Sequence, residues 1–268
     1  MSIDVSETSS ASAPVQLRML DEHVALVTIN RPDTRNAVNA DITIGLEQAV
    51  VLTEQDANVW VVILTGAGNQ AFCAGADLQA VAAGQGASLT TLTGGFAGFV
   101  HQPRTKPWIA AVNGIAVAGG TEIALACDLI VAVRHATFGL PEVKRGLIAA
   151  AGGLYRLTRS LPRSIGLELI ATGEPLSAEK ANHYGLLNRL VQGHDPVPEA
   201  LLLARTIAAN APVAVRESLK IARVSYDLPD AELRRLSEEA FRALMITEDF
   251  AEGPRAFIEK RAPIWRGQ

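Results

Sequence analysis

Residues Ala110 to Gly153 constrain this chain most, because they form a long, almost wholly apolar run that two glutamates, Glu122 and Glu142, interrupt. Such a run belongs in an interior, and glutamate is rarely buried without a partner or a task. Glu122 follows Gly119-Gly120, and Glu142 follows a Gly-x-Pro turn at Gly139 and Pro141, so each stands beside bared backbone. A pair of carboxyl groups near exposed backbone N–H groups is the equipment of proton-transfer catalysis. One such glutamate reads more simply as a surface residue at an element end. Two in so apolar a stretch point to chemistry.

With 268 residues, 49% of them hydrophobic and 19% charged, the chain can bury a substantial core. A net charge of −4 argues against broad attraction to nucleic acid or membrane surfaces, although a local basic patch could serve an anionic ligand. Cys73 and Cys127 have no CxxC spacing and read as reduced core thiols in a cytoplasmic protein. Residues 1–14 are polar and Ser-rich. They lack both the basic-then-apolar order of a secretory signal and the Arg of a mitochondrial presequence, which predicts a disordered tail. A membrane span needs ~18 unbroken apolar residues. The nearest candidate, 107–133, is broken by Asn113, Glu122 and Asp128.

Along the chain, strands alternate with helices. Val24 to Asn30, Trp60 to Thr65, Trp108 to Val112, Leu129 to Val133 and Leu187 to Val191 read as strands, with a short extended piece at Thr137 to Gly139. Asn39 or Asp41 caps a helix through Ile44, Leu46, Val50 and Leu52. A helix starts near Gly119, another at Gly152-Gly153, and Ser177 caps a third. Residues 80–100, rich in Ala, Gly and Thr, predict a mobile, partly helical wall of a pocket. The loop from Ala71 to Leu78 packs small residues around Gly75 and lets a ligand approach the backbone. From Pro198 the pattern is helical: Leu233, Leu236, Ala240 and Leu244 form one stripe, and a last helix is expected near Pro254 to Lys260. The fold class is therefore α/β, with a core at 15–197 and a helical region at 198–268.

Five linked motifs then resemble the crotonase superfamily, the enoyl-CoA hydratases and isomerases. They are N-R-P-x-x-x-N-A from Asn30, F-C-A-G-A-D-L from Phe72, A-V-N-G-x-A-x-x-G-G-x-E from Ala111, F-G-x-P-E-x-x-x-G from Phe138, and T-G-x-x-x-S-A-x-x-A from Thr172. One alone would be weak; all five in this order are specific. The resemblance implies a spiral of repeated ββα units, C-terminal helices that pack on neighbouring subunits, and assembly as a homo-trimer or dimer of trimers. It implies an acyl-CoA thioester as substrate, with coenzyme A as part of that substrate and no separate cofactor or metal. By the same resemblance the backbone N–H groups of Ala76 and Gly119 form an oxyanion hole for the thioester carbonyl. Arg35, Ala37, Ala74, Gly75, Asp77, Leu78 and Gly120 are the expected substrate contacts.

In hydratase members both glutamates are present twenty positions apart, as Glu122 and Glu142 are here. The expected activity is that of a lyase, hydration of a 2-enoyl-CoA, with the acid and base roles of the pair left open. A carnitinyl-CoA dehydratase-like enzyme, a double-bond isomerase using one Glu, and a non-catalytic acyl-CoA- or RNA-binding member are the alternatives. Two departures bear on the choice. Ala149-Ala150 stands where many hydratases have Pro-Gly, and Gly94 to Gly98 is more similar to carnitinyl-CoA dehydratases than to fatty-acid hydratases.

His23, His101, His135, His183 and His194 show no metal spacing and read as surface or structural. Asp128 reads as a structural carboxylate satisfied by backbone donors. Arg31, Arg35 and Lys260 are candidates for CoA phosphates or adenine, with a solvated surface role as the plainer reading of each.

Overall fold

A computed structural model describes residues 12–268 of the protein. The start of the expected tail lies outside these residues. At its end, Ala13 and Pro14 are held by Asn30, which donates to their carbonyls at 3.0 and 2.7 Å.

Two sheets form the core. β1 (Val15–Asp21) and β2 (Val24–Ile29) make an antiparallel hairpin, and α1 (Ala40–Gln55) follows. Its cap is Asn39, which accepts from the Ile42 N–H at 3.1 Å. Ile42, Leu46, Ala49 and Val50 form the buried face of α1, while Ile44 turns outward.

Three strand pairs repeat one plan. β3 (Val61–Gly66) is followed by β4 (Ala71–Cys73) and α2 (Leu78–Ala82). After the short hairpin of β5 (Thr90–Thr91) and β6 (Gly95–Phe96) come β7 (Trp108–Val112), β8 (Ile115–Val117) and α3 (Gly119–Ala126). β9 (Leu129–Val133) and β10 (Thr137–Gly139) precede a 3₁₀ turn at Pro141–Arg145, then α4 (Gly153–Ser160) and α5 (Arg163–Thr172). In each pair the first strand enters one sheet and the second strand the other. The larger sheet has the order β1-β2-β3-β7-β9-β12 and the smaller β11-β10-β8-β4, with β11 at Leu176–Ser177 and β12 at Arg189–Val191. Neighbours from β2 to β12 are parallel. This is the ββα spiral expected from the sequence.

Parallel strands covered on both faces read as unbroken apolar runs. Val24 and Leu26 face one side of the large sheet, with Ala25, Val27 and Ile29 on the other. The second side packs between the two sheets with α1 and α3. The first side is covered by α7 (Val197–Ala208) through Ala200 and Ala204, which are fully buried. α6 (Ala178–His183), capped by Ser177 as expected, links β11 to the edge strand β12.

α8 (Pro212–Arg223), α9 (Asp230–Leu244) and α10 (Glu248–Glu259) complete the chain. The last helix starts six residues before Pro254, under a Thr247 cap that accepts from Phe250 N–H. Pro254 therefore sits inside the helix and does not open it. β1, β8 and α5 are elements the sequence reading left out.

Candidate active site

Residues of the apolar run meet the loop from Ala71 to Leu78 in one cavity of about 490 Å³, lined by Ala74, Ala76, Leu78, Gly119, Glu122 and Glu142 among others. Two loops make its floor. In the first, Gly75 has φ +85°, a conformation that favours glycine, and this turns Ala76 toward the start of α3. A Cβ on Gly75 would lie 3.1 Å from the Gly119 nitrogen, so the two loops are in contact. In the second, Ala118 holds φ +52°, an unfavourable value for a residue with a Cβ, and hands the chain into α3 at Gly119. Its N–H donates to Gly139 at 2.9 Å, and Thr121 Oγ1 bridges Ala116 and Gly139 carbonyls at 2.7 and 3.0 Å.

Among the described residues the N–H groups of Ala76 and Gly119 donate to no other part of the chain, whereas those of Ala74 and Asp77 are taken by Arg35 and Val38 carbonyls. Gly119 is also the first residue of α3, where backbone donors point outward and the helix end favours negative charge.

Glu122 lies one turn into α3 and is 4% exposed. Its Oε1 accepts from Gly153 N–H at 2.9 Å. A Cβ on Gly153 would stand 3.0 Å from Glu122 Cγ, so glycine lets α4 close on the carboxyl. Burial pushes the Glu122 carboxyl above its ordinary range and the Glu142 charge adds to that, while the Gly153 and Ala151 N–H groups and Arg156 pull it back. Glu142 sits in the 3₁₀ turn after Pro141, and its Oε2 is buried with no hydrogen-bond partner. Burial raises this carboxyl too, with its own N–H and Arg145 opposing.

The other expected contacts do not line the cavity. Arg35 is exposed, with φ +55°, and offers its carbonyl to Ala74 N–H. Ala37 is buried and its carbonyl receives Arg31 Nη1 at 2.7 Å. Asp77 caps α2 and pairs with Arg31 at 3.0 Å. That commits Arg31 within the protein as well. Gly75 and Gly120 act through shape: a Cβ on Gly120 would come 1.9 Å from the Cys73 carbonyl oxygen. Asp128 accepts from Trp108 N–H at 2.8 Å, a backbone donor as expected, and also pairs with Arg223 at 2.7 Å.

His101, read from sequence as surface or structural, lines the cavity beside Phe96. Its Nε2 stands 3.3 Å from Tyr155 Oη. No spacing pattern signals this, because His101 reaches the cavity only through the folding of the 80–101 segment, whose Phe96 lies against Gly119 at the start of α3. Cys73 and Cys127 are unpaired thiols whose pKa burial raises to about 12, so neither is a ready nucleophile. Among the described residues no group of His, Cys, Asp and Glu could hold a metal ion, and no helix is long and apolar enough to cross a membrane.

Residues 20–268 match the family model described as enoyl-CoA hydratase/isomerase. The carnitinyl-CoA dehydratase of Salmonella arizonae is 39% identical over 246 residues, which cover 90% of this chain and 94% of that protein. The crystal structure of an enoyl-CoA hydratase from Mycobacterium tuberculosis H37Rv superposes with a TM-score of 0.91 at 42% identity, over 96% of this chain and all of that one. A carnitinyl-CoA hydratase structure from Mycobacterium avium has 44% identity and a TM-score of 0.74, again over 96% of this chain and 100% of its own.

Proposed function

The chain belongs to the enoyl-CoA hydratase/isomerase family, and from that premise we propose that it adds water reversibly across the 2,3-double bond of a 2-enoyl-CoA thioester. The observation that carries this reading is the pair of carboxyls, buried Glu122 and half-buried Glu142, in one cavity with two uncommitted backbone amides.

In this mechanism the thioester oxygen accepts from the Ala76 and Gly119 N–H groups, which stabilise the enolate-like charge as it develops. One such donor is typically worth ~10²–10³ in rate. Glu122, whose ionised form has the Gly153 N–H, takes the proton of the attacking water as its oxygen bonds to the β-carbon. Glu142, whose buried Oε2 has no donor to stabilise a charge, is the better proton source for the α-carbon. The protons then re-equilibrate between the pair and solvent. Run backwards, the same steps dehydrate a 3-hydroxyacyl-CoA. Gly94 to Gly98 and the dehydratase relatives favour that direction as the second reading.

Both glutamates weigh against an isomerase that needs one. Turnover of 2-enoyl-CoA, 3-enoyl-CoA and 3-hydroxyacyl-CoA thioesters tests the assignment. Hydration and its reversal are expected; migration of the double bond without water exchange would overturn it.

A further inference from the structure

Beside the catalytic cavity lies a second one, of about 630 Å³, and His101 lines both. The second cavity rests against the C-terminal end of α3 at Leu125 to Cys127, whereas Gly119 at the start of that helix faces the first. At 1.5 Å rise per residue the two ends of α3 stand ~12 Å apart. A chain held by its thioester at Gly119 can therefore reach the second cavity with its far end. Between them stand His101 and Tyr155, whose side chains touch at 3.3 Å and are both exposed enough to swing.

The lining of this cavity is cationic. Arg159 pairs with Asp227 and Arg223 with Asp128, each at 2.7 Å, so these four charges cancel. Arg104 and Arg156 have no carboxylate within ion-pair distance among the described residues. Arg104 donates to the carbonyls of Phe99 and Ala126, both at 2.6 Å, and so caps the end of α3. Arg156 donates to Ala151 and Val100 carbonyls at 3.1 and 2.7 Å. Both residues are half-buried. Gln102 also lines the cavity. An alkyl end meets Val100, Leu125 and Ala222 here but leaves the cations unanswered, and a cationic end is repelled. A carboxylate gains charge-assisted hydrogen bonds in a partly desolvated setting, where they are strongest.

We infer that this cavity is a subsite for the distal end of the acyl group and that it selects acyl groups ending in a carboxylate, with His101 and Tyr155 as the partition the chain displaces. The inference rests on the reading that the first cavity holds the thioester. The phosphates of coenzyme A are the other anions the protein meets, so free coenzyme A is a necessary arm of the test.

The experiment compares straight-chain 2-enoyl-CoA thioesters ending in a carboxylate with methyl-ended thioesters of equal length, by kcat/KM. It measures the Kd of the saturated counterparts and of free coenzyme A in parallel. At the lengths that reach the cavity the carboxylate is expected to be preferred about tenfold in both readouts, the worth of a charge-assisted contact. Arg156→Gln should bring that ratio near one, and Arg156→Lys, which keeps the charge, should retain part of it. The wild-type ratio and the Lys variant decide the matter should Arg156→Gln not fold. Equal or better binding of the methyl-ended chain at every length overturns the inference. So does an Arg156→Gln variant that loses affinity for free coenzyme A itself, which would assign the cations to its phosphates. A carboxylate preference in binding with no turnover of any enoyl-CoA would sink the hydratase reading and leave the subsite standing.

Discussion

Replacing either Glu122 or Glu142 by Gln removes the carboxyl assigned to proton transfer in the proposed mechanism and leaves the cavity's shape. Hydration should fall by ~10²–10⁴ while acyl-CoA binding persists, as single-turnover and titration measurements would show. The same variants carry a stability signature. Burial raises both carboxyl pKa values above the ordinary 4.5. A group raised in the folded state contributes stability that is complete below 4.5 and is lost as pH rises through the folded value. At neutral pH each ionised carboxyl is therefore a cost, and Gln removes it. Both variants should melt higher than wild type at neutral pH, by ~2–4 °C per kcal/mol gained, with the difference vanishing toward pH 4. The adjacent glycines separate function from folding. A Cβ at Gly119 meets the Phe96 ring at 2.3 Å, the end of a side chain that can turn, whereas at Gly120 it meets backbone. Gly119→Ala should fold and lose up to ~10² in kcat/KM by displacing the reacting atoms. Gly120→Ala should lower stability by ~1–3 kcal/mol in denaturant titrations. The glutamates were legible in sequence because an apolar run leaves them nowhere else to go. His101 was not, and neither were Arg104 and Arg156, because each depends on side chains from separate elements converging.

The inner strands of the large sheet, β2, β3, β7 and β9, were legible for a plain reason: covered on both faces, they are almost continuously apolar, whereas β1 alternates polar and apolar residues at the sheet's edge. β8 has three residues and follows an Asn-Gly turn, so it offers no period to read. α5 has only Gly166 and Leu169 buried, too few to mark a face. The C-terminal helices were legible by their stripes, but their anchor was not. Arg223 at the end of α8 donates to Asp128 and to the carbonyls of Arg104 and Lys106, which ties α8 to the loop before β7. Arg223→Ala leaves Asp128 with a backbone donor alone. With 28% and 15% of the two side chains exposed, the loss should be ~1–3 kcal/mol, below that of a fully buried pair. Hydrogen exchange should quicken in α8 and α9 and stay slow in β3 and β7. Uniform acceleration across the sheet would show that the anchor is not local.

At the scale of the molecule, α9, α10, the turn between them and the segment after them expose Phe241, Ile246, Phe257, Ile258 and Ile264, between 57% and 88% of each. So much apolar surface on neighbouring helices is what a subunit contact leaves uncovered in a single chain. A trimer or hexamer is the expected state in sedimentation, and Phe257→Glu with Ile258→Glu should shift it toward the monomer. Persistent monomer in the unaltered protein would refute the proposal. The strand order of the large sheet, which follows the order of the strands in the chain throughout, bears on how the protein is made. During synthesis, β1 and β2 can pair as a local hairpin, and each later strand leaves the ribosome to find the previous one at the open edge. Translation at about 5–20 residues per second hands over the pieces one at a time. A chain released from denaturant must instead choose among all of them at once, through contacts distant in sequence that form slowly.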